Sequence, residues 1–438
     1  MPSSSIRRLD LATESSYMSR NANGVPDPTG LVWYPCEIAD ATQITAIGDT
    51  TTTAVNTSTG GFGTQPGEPL LDPSADAYSQ TNSAIKSGTL TVDFYLRGDV
   101  KYGDPIDQQA LLWCFYSRMS ENIQISSAAN GSMTTGGQIS TIATPTIGDI
   151  IAYCLPDGRV TYGIETTTNA AQVLRPKQTF SEAYSPAMFG HDEDNGDLYN
   201  FAWSIPSVGG DPVPYGTRTA ALRMTGDGWQ QIAFGCAVTA LSITCEAEGR
   251  GIRCSATIDC PCIVDVPFAD IQTPTWPDAN GPVLHALGSP FIVGTSSAAA
   301  VTYDNAYCAS EWTLSLNWTT AGAACGSYWS GRAPLEATSL DASLELTIGH
   351  PSAASRQYFA DAWKNQTKLT IILPFGGEID VDGGQKFGGC IAIPGAYVTD
   401  GSVTNPDLSA DAIQTKVTLG LSNDPADVIP YLFKLFVM

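Results

Sequence analysis

The chain is short of histidine, of positive charge and of long apolar runs, and each shortage closes off a class of function. Three His occur in 438 residues, His191, His285 and His350, and no two stand at metal-ligand spacing. His350 falls at a strand-to-helix turn, where capping accounts for it. There is no Gly-x-Ser-x-Gly elbow and no phosphate-binding loop. Gly61-Phe62-Gly63 opens like a dinucleotide fingerprint, but the next Gly falls out of register at Gly67. Lys and Arg number 21 against 44 Asp and Glu, a net charge of −23. That balance argues against a protein that grips nucleic acid by its phosphates. It is compatible with one that lets a polyanion slide past, and equally with acidity that only serves solubility.

No apolar run approaches the ~20 residues of a membrane-spanning helix. Met1–Arg20 carries no apolar core of a secretory leader. The chain is therefore expected to fold in a reducing cytoplasm, with its 11 Cys serving mainly as small buried hydrophobes. Five of them lie between Cys236 and Cys262. Cys254 and Cys260 share one strand face about 20 Å apart, too far for one ion. The acidic run Asp192–Asp197 has Gly196 where a calcium loop needs a ligand, so it reads as a surface loop. The expectation is no catalytic residue, no cofactor and no metal.

What the chain does have is strand-forming alternation, stated twice. Leu90, Val92, Phe94 and Leu96 alternate with Thr91, Asp93 and Tyr95, and Pro105 then opens a helical stretch to Ser117. Leu340, Ala342, Leu344, Leu346 and Ile348 alternate with Ser339, Asp341, Ser343, Glu345 and Thr347, and Pro351 opens a second helix carrying Phe359, Ala362 and Trp363. Both Pro suit a first helical position. Phe234-Gly235-Cys236 is echoed by Phe387-Gly388-Gly389-Cys390. Further period-two strands run over Ile252–Cys260 and Glu311–Trp318, each with one apolar face. The loop at Glu248–Gly251 predicts a hairpin with Cys245 opposite Cys254. Trp312 and Trp318 share an apolar face and are expected in the core.

The organisation that follows is an extended N-terminal arm with loops over 1–80, with a strand near Leu31–Cys36. A first β unit spans 81–266, a Pro- and Gly-rich linker 267–282, and a second β unit 283–438. A loop is expected over 166–197. Deleting residues 1–30 of such an arm is expected to leave a folded monomer.

The strand-to-helix unit Thr89–Leu96 with Pro105–Ser117, the stretch Thr225–Trp229 through Phe234-Gly235-Cys236, and Leu241–Gly249 leading into Ile252–Asp259 resemble the major tail tube proteins of long-tailed bacteriophages. The resemblance covers about residues 80–438 as a tandem pair. It implies a mostly β fold of two tandem β-sandwich domains, each flanked by one helix, whose rings enclose an inner β-barrel. It implies self-association into trimeric, pseudo-hexameric rings stacked into a tube, with a hexamer as the alternative. The other partners implied are tail proteins at the tube ends (tape measure, terminator and tip) and double-stranded DNA in passage. It also implies assembly in the host cytoplasm and residence in the virion tail, as a long tail without a sheath. Asp93, Asp341 and Glu345 are then the candidate lumen-facing residues. The alternative is a surface β-sandwich that binds or hydrolyses glycans, with paired carboxylates drawn from the 44 acids.

Overall fold

A computed structural model of the chain describes residues 8–14, 16–21, 26–36, 47–50, 85–96, 120–124, 132–133, 138–140, 150–154, 160–167, 170–173, 198–206, 219–226, 228–246, 251–266, 286, 291–295, 305–322, 336–349, 352–381, 385–400, 414–422 and 431–437. The fold is mostly β, with every strand pair antiparallel. The first strands are β1 (Arg8–Glu14), β2 (Tyr34–Cys36), β3 (Ile47–Thr50) and β4 (Ile85–Tyr95). Seven shorter ones follow: β5 (Ser120–Gln124), β6 (Ser132–Met133), β7 (Gln138–Ser140), β8 (Ile150–Cys154), β9 (Val160–Thr167), β10 (Ala170–Val173) and β11 (Leu198–Pro206). Then come β12 (Thr219–Gly226), β13 (Trp229–Cys245) and β14 (Ile252–Val266). The C-terminal part holds β15 (Phe291–Thr295), β16 (Asn305–Tyr307), β17 (Ala309–Ala321) and β18 (Glu336–Gly349). The helix α1 (Ala353–Asn365) leads to β19 (Leu369–Val381), β20 (Gln385–Val398), β21 (Gln414–Leu421) and β22 (Tyr431–Val437).

Two runs of strands pair in the same order. The first is β2–β1–β12–β13–β14–β4–β3. The second is β16–β15–β19–β20–β21–β18–β17. Taken along the chain, β1 to β4 and β12 to β14 occupy the places of β15 to β21 in turn. The strands β5 to β11 are inserted between β4 and β12, where β8–β9–β10–β7–β6 form a ladder of their own. β11 ties that ladder to β5 and β22. β22 also pairs with β20.

The strands near the middle of each run explain the sequence pattern. β17 and β14 bury every second residue, Trp312, Leu314, Leu316 and Trp318 in one and Ile252, Cys254, Ala256 and Ile258 in the other. β12 and the first half of β13 are buried on both faces, so alternation disappears there. Their second face is covered by the segment after β1, through Tyr17, Met18, Leu31 and Trp33 packed against Ala221, Ile232, Phe234 and Cys262. Gly235 lies at this contact with φ +70°, and a Cβ there would meet Tyr17 at 2.7 Å. A residue with a side chain would carry both the left-handed penalty and the clash.

Helix α1 is capped by Ser352, whose side chain accepts the Ser355 N–H at 3.0 Å. Its first helical position is therefore Ala353, two residues after the expected Pro351. Phe359 anchors it on Phe291 and Tyr307, with ring centroids 6.4 and 5.9 Å away. Its far end closes with Gln366 in the left-handed conformation (φ 51°), its N–H bonding the Trp363 carbonyl.

Several expectations need correction. Residues 8–14 are a core strand between β2 and β12, with Leu9, Leu11 and Ala12 buried. Residues 160–167 and 170–173 are paired strands, so the loop expected over 166–197 does not hold for its first part, and 174–197 lie outside the described residues. In the β13–β14 hairpin Cys245 faces Ile252, and Cys254 faces Ile243. The loop is two residues longer than the four assumed, which shifts the register by that amount. The first expected helix (Pro105–Ser117), the linker 267–282, the Asp192–Asp197 run and all three His lie outside the described residues.

Candidate functional site

The two runs join into one sheet. The second half of β13 (Ala240–Cys245) pairs with Trp312–Asn317 of β17. A continuous path of eight strands results, β3–β4–β14–β13–β17–β18–β21–β20. Across its middle six strands the rows stay in register. One row reads Asp93, Ser255, Ser242, Ser315, Ser343, Gly420. The next reads Tyr95, Arg253, Thr244, Thr313, Glu345, Thr418. On the other side of the first lie Thr91, Thr257, Ala240, Asn317, Asp341.

Because side chains alternate along each strand, these rows share one face. The intervening rows share the other, for example Phe94, Cys254, Ile243, Leu314, Leu344, Leu419, all of them buried. One face is thus core and the other is a band of Ser and Thr hydroxyls. Asp93, Asp341 and Glu345, the three residues singled out from sequence, stand on that polar face. Asp93 and Glu345 are four strands apart, about 19 Å.

The charges on this face are partly matched. Arg253 bonds Asp93 across the β4–β14 pair at 2.7 Å. That hydrogen bond, with the nearby carboxylate charge, raises the Arg253 pKa further above its ordinary value. Lys416 sits 2.9 Å from Glu345 across β18–β21. Both pairs are solvent-exposed to a third or more on the cationic side, so each contributes at most about 1 kcal/mol. Asp341 has no cation within ion-pair distance among the described residues. Glu311 accepts from the Thr347 hydroxyl at 2.9 Å, and the Thr244 and Thr313 hydroxyls meet at 3.3 Å across the junction. The face carries Asp93, Glu246, Asp259, Glu311, Asp341 and Glu345 against Arg253 and Lys416 among its described side chains.

The outward position of Arg253 was readable from period two, but its partner was not, because only strand order brings β4 beside β14. A second polar set went unnoticed. Asp10 is fully buried and held by Arg8 at 2.7 Å and Arg223 at 2.9 Å, with Arg223 stacked over Trp33 at 4.7 Å. Glu14 is buried among the Thr219 hydroxyl and the N–H groups of Gly235 and Met18. Burial pushes its pKa up to about 7 against these lowering bonds. These two carboxylates tie β1 into the sheet, and the local sequence carries no signal for it, since the partners that do so, Thr219, Arg223 and Gly235, are more than 200 residues away.

The Cys expectation holds where side chains are described. Cys236, Cys245, Cys254, Cys260, Cys262 and Cys390 are buried free thiols, and Cys308 is exposed. Cys236 and Cys260 meet at 3.7 Å in the core. Burial pushes the Cys262 thiol to about 12 and Cys390 higher still, so both stay protonated. Among the described residues no cluster of His, Cys, Asp and Glu could hold a metal ion. Trp312 and Trp318, at 4% and 5% exposure, lie in the core and offer no outward platform for a sugar ring. No model of a known protein family matches the chain, and no curated protein matches it.

Proposed function

We propose that this chain is the major tail tube protein of a long-tailed bacteriophage, a structural virion component whose stacked rings form the channel for viral DNA. The observation that carries this reading is the six-strand stretch β4–β14–β13–β17–β18–β21 within the eight-stranded sheet, with one core face and one hydroxyl-rich, acid-dominated face. A channel for a polyanion needs a wall that offers little cationic grip, and Ser and Thr hydroxyls with six carboxylates against Arg253 and Lys416 among the described side chains supply one. On this reading Asp93, Asp341 and Glu345 face the lumen.

The repeated pairing order supports two tandem tube-like domains, each contributing four strands to the wall. Strands ~4.8 Å apart and tilted ~40° set the bore: three copies close about 24 strands into a barrel roughly 48 Å across at the backbone, and six copies about 48 strands into one roughly 95 Å across. The smaller admits a duplex about 20 Å wide with side chains to spare, which favours the trimeric, pseudo-hexameric ring over a hexamer. The remaining partners on this reading are the tape measure, terminator and tip proteins, and the place is the virion tail.

Negative-stain electron microscopy of the purified protein at rising concentration tests this. Hollow rings or tubes with a pore are the expected result. A chain that stays monomeric, or assembles without a pore, would sink the reading.

A further inference from the structure

The β13–β14 pair changes face partway along its length. Its register sets Ala237 opposite Asp259 and Phe234 opposite Cys262, so Cys236 faces Cys260. Cys236 and Cys260 belong to the large core cluster, whereas Phe234 and Cys262 belong to the smaller one under Tyr17 and Trp33. Gly235 and Pro261 lie at the turn-over, Gly235 with φ +70°. Neither supplies a donor to the ladder there. The Gly235 N–H goes to the Glu14 carboxylate at 3.1 Å, and Pro261 has no N–H. The two thiols thus meet where the strands share fewer backbone bonds.

The backbone geometry at Cys260 follows from one bond. The Leu96 N–H donates to the Ile252 carbonyl at 2.9 Å, so Ile252 turns its polar groups toward β4. The β4 ladder keeps one register from Arg253–Tyr95 to Cys260–Gly88. By alternation Cys260 also turns its polar groups toward β4. Toward β13 it therefore stands at a non-hydrogen-bonded position, where the Cα atoms of facing residues come within about 4.5 Å. That separation lies inside the roughly 4.4–6.8 Å that a disulfide spans. The two sulfurs are already 3.7 Å apart, and both residues are buried, at 1% and 2% exposure.

We infer that Cys236 and Cys260 are a disulfide site, bridged across the β13–β14 hairpin by an oxidant of the peroxide class once the chain leaves reducing surroundings. The Cys236 sulfur gives up its proton and attacks one peroxide oxygen. The O–O bond breaks, water departs, and Cys236 carries a sulfenic acid. The Cys260 sulfur, losing its own proton, then attacks the Cys236 sulfur, the S–O bond breaks, and a second water departs. The two thiols lose two electrons, and one peroxide is reduced to two waters. Burial raises the Cys236 pKa, and the contact with Cys260 adds to it, so thiolate is scarce and the bridge forms slowly. The same burial shields the finished bridge from reductants. The hairpin it closes carries Ala240–Cys245, paired with β17, and Arg253–Asp259, paired with β4. The bridge therefore locks the centre of the polar-faced sheet. A reducing cytoplasm keeps the pair as thiols, so the lock is set only outside it. The inference needs the hairpin and an oxidant alone, and stands or falls apart from the tube reading.

The test uses full-length protein purified with reductant and then exposed to hydrogen peroxide. Free thiols are blocked under denaturing conditions, and the chain is digested without reduction. The expected result is a peptide joining Cys236 to Cys260 as the main bridged product. The unfolding equilibrium is expected to shift about a hundredfold toward the folded state, as for a closed loop of this size. Urea unfolding of exposed wild type, reduced wild type and exposed Cys260→Ala reads the shift, which only the first should show. If the variant misfolds, the two wild-type samples decide alone. Oxidation of the exposed Cys308 shows that the oxidant acted. Cys236 and Cys260 both recovered as free thiols in that sample would overturn the inference. So would Cys236 oxidised past the sulfenic acid with no bridge, or a bridge that leaves the unfolding curve where it was.

Discussion

At the scale of the residue, the chain places carboxylates where burial costs most and satisfies them from far away in sequence. Glu14 is the sharpest case. It lies between β1, β12 and the Gly235 turn of β13, and its pKa is raised from the ordinary 4.5 to about 7 by desolvation. The linkage has a definite sign. Below about pH 4.5 the group is protonated in folded and unfolded chains alike and costs nothing. Between about 4.5 and 7 the unfolded chain releases the proton while the folded chain keeps it, so stability falls as pH rises. Above about 7 the full loss is present, about 3 kcal/mol. Glu14→Gln keeps the size and hydrogen-bonding capacity but cannot ionise. The expected outcome is that the wild type loses about 3 kcal/mol of unfolding free energy relative to the variant between pH 4 and pH 8. Parallel urea-unfolding curves across that range check it, and identical pH profiles would show that Glu14 does not titrate as described.

At the scale of the element, alternation in the sequence marked strands that are buried on one side only. β4, β14, β17 and β18 were legible because Leu, Ile and Cys fall on one parity and Ser, Thr and Asp on the other, and water decides which faces out. The first half of β13 is buried on both faces, so its run of Ile232 to Val238 shows a strand without showing its neighbours. β1 was missed for a related reason. Arg8-Leu9-Asp10-Leu11-Ala12-Thr13-Glu14 has the charge content of a solvated arm, and only the distant Arg223 and Thr219 turn it into core. That placement reverses the expectation for truncation. Removing residues 1–30 takes Leu9, Leu11, Ala12 and Met18 from the core and strands Arg223 beside no carboxylate. The truncated chain is expected to lose its cooperative unfolding transition. The milder Leu11→Ala, at a fully packed site, is expected to cost about 3 kcal/mol. Denaturant titration of both reads the result. A truncated chain with wild-type stability would return β1 to the status of an arm.

At the scale of the whole molecule, the polar face of the sheet was half legible. Its residue types and parity were readable. The order β4–β14–β13–β17–β18–β21, which makes a single face of two halves of the chain, was not, because strand order is a tertiary choice that period two does not encode. The order also changes the electrostatics. Asp93 and Glu345 are each matched by a cation on the next strand, and Asp341 has none among the described residues. Replacing both Asp341 and Glu345 by Lys breaks only the exposed pair with Lys416, a loss of at most about 1 kcal/mol, so the fold and any assembly are expected to survive. The face would then carry two new ammonium groups beside Arg253 and Lys416, repeated in every copy around a ring and along a stack. Phosphate contacts made this way release counterions, so retention of duplex DNA should appear at about 50 mM salt and vanish steeply by about 200 mM. Wild-type assemblies are expected to retain none at either salt. Co-sedimentation of fluorescent duplex DNA with both assemblies measures this. Salt-sensitive retention in the variant alone places the face where DNA travels, whereas no retention by either would put Asp341 and Glu345 on a surface that DNA never meets.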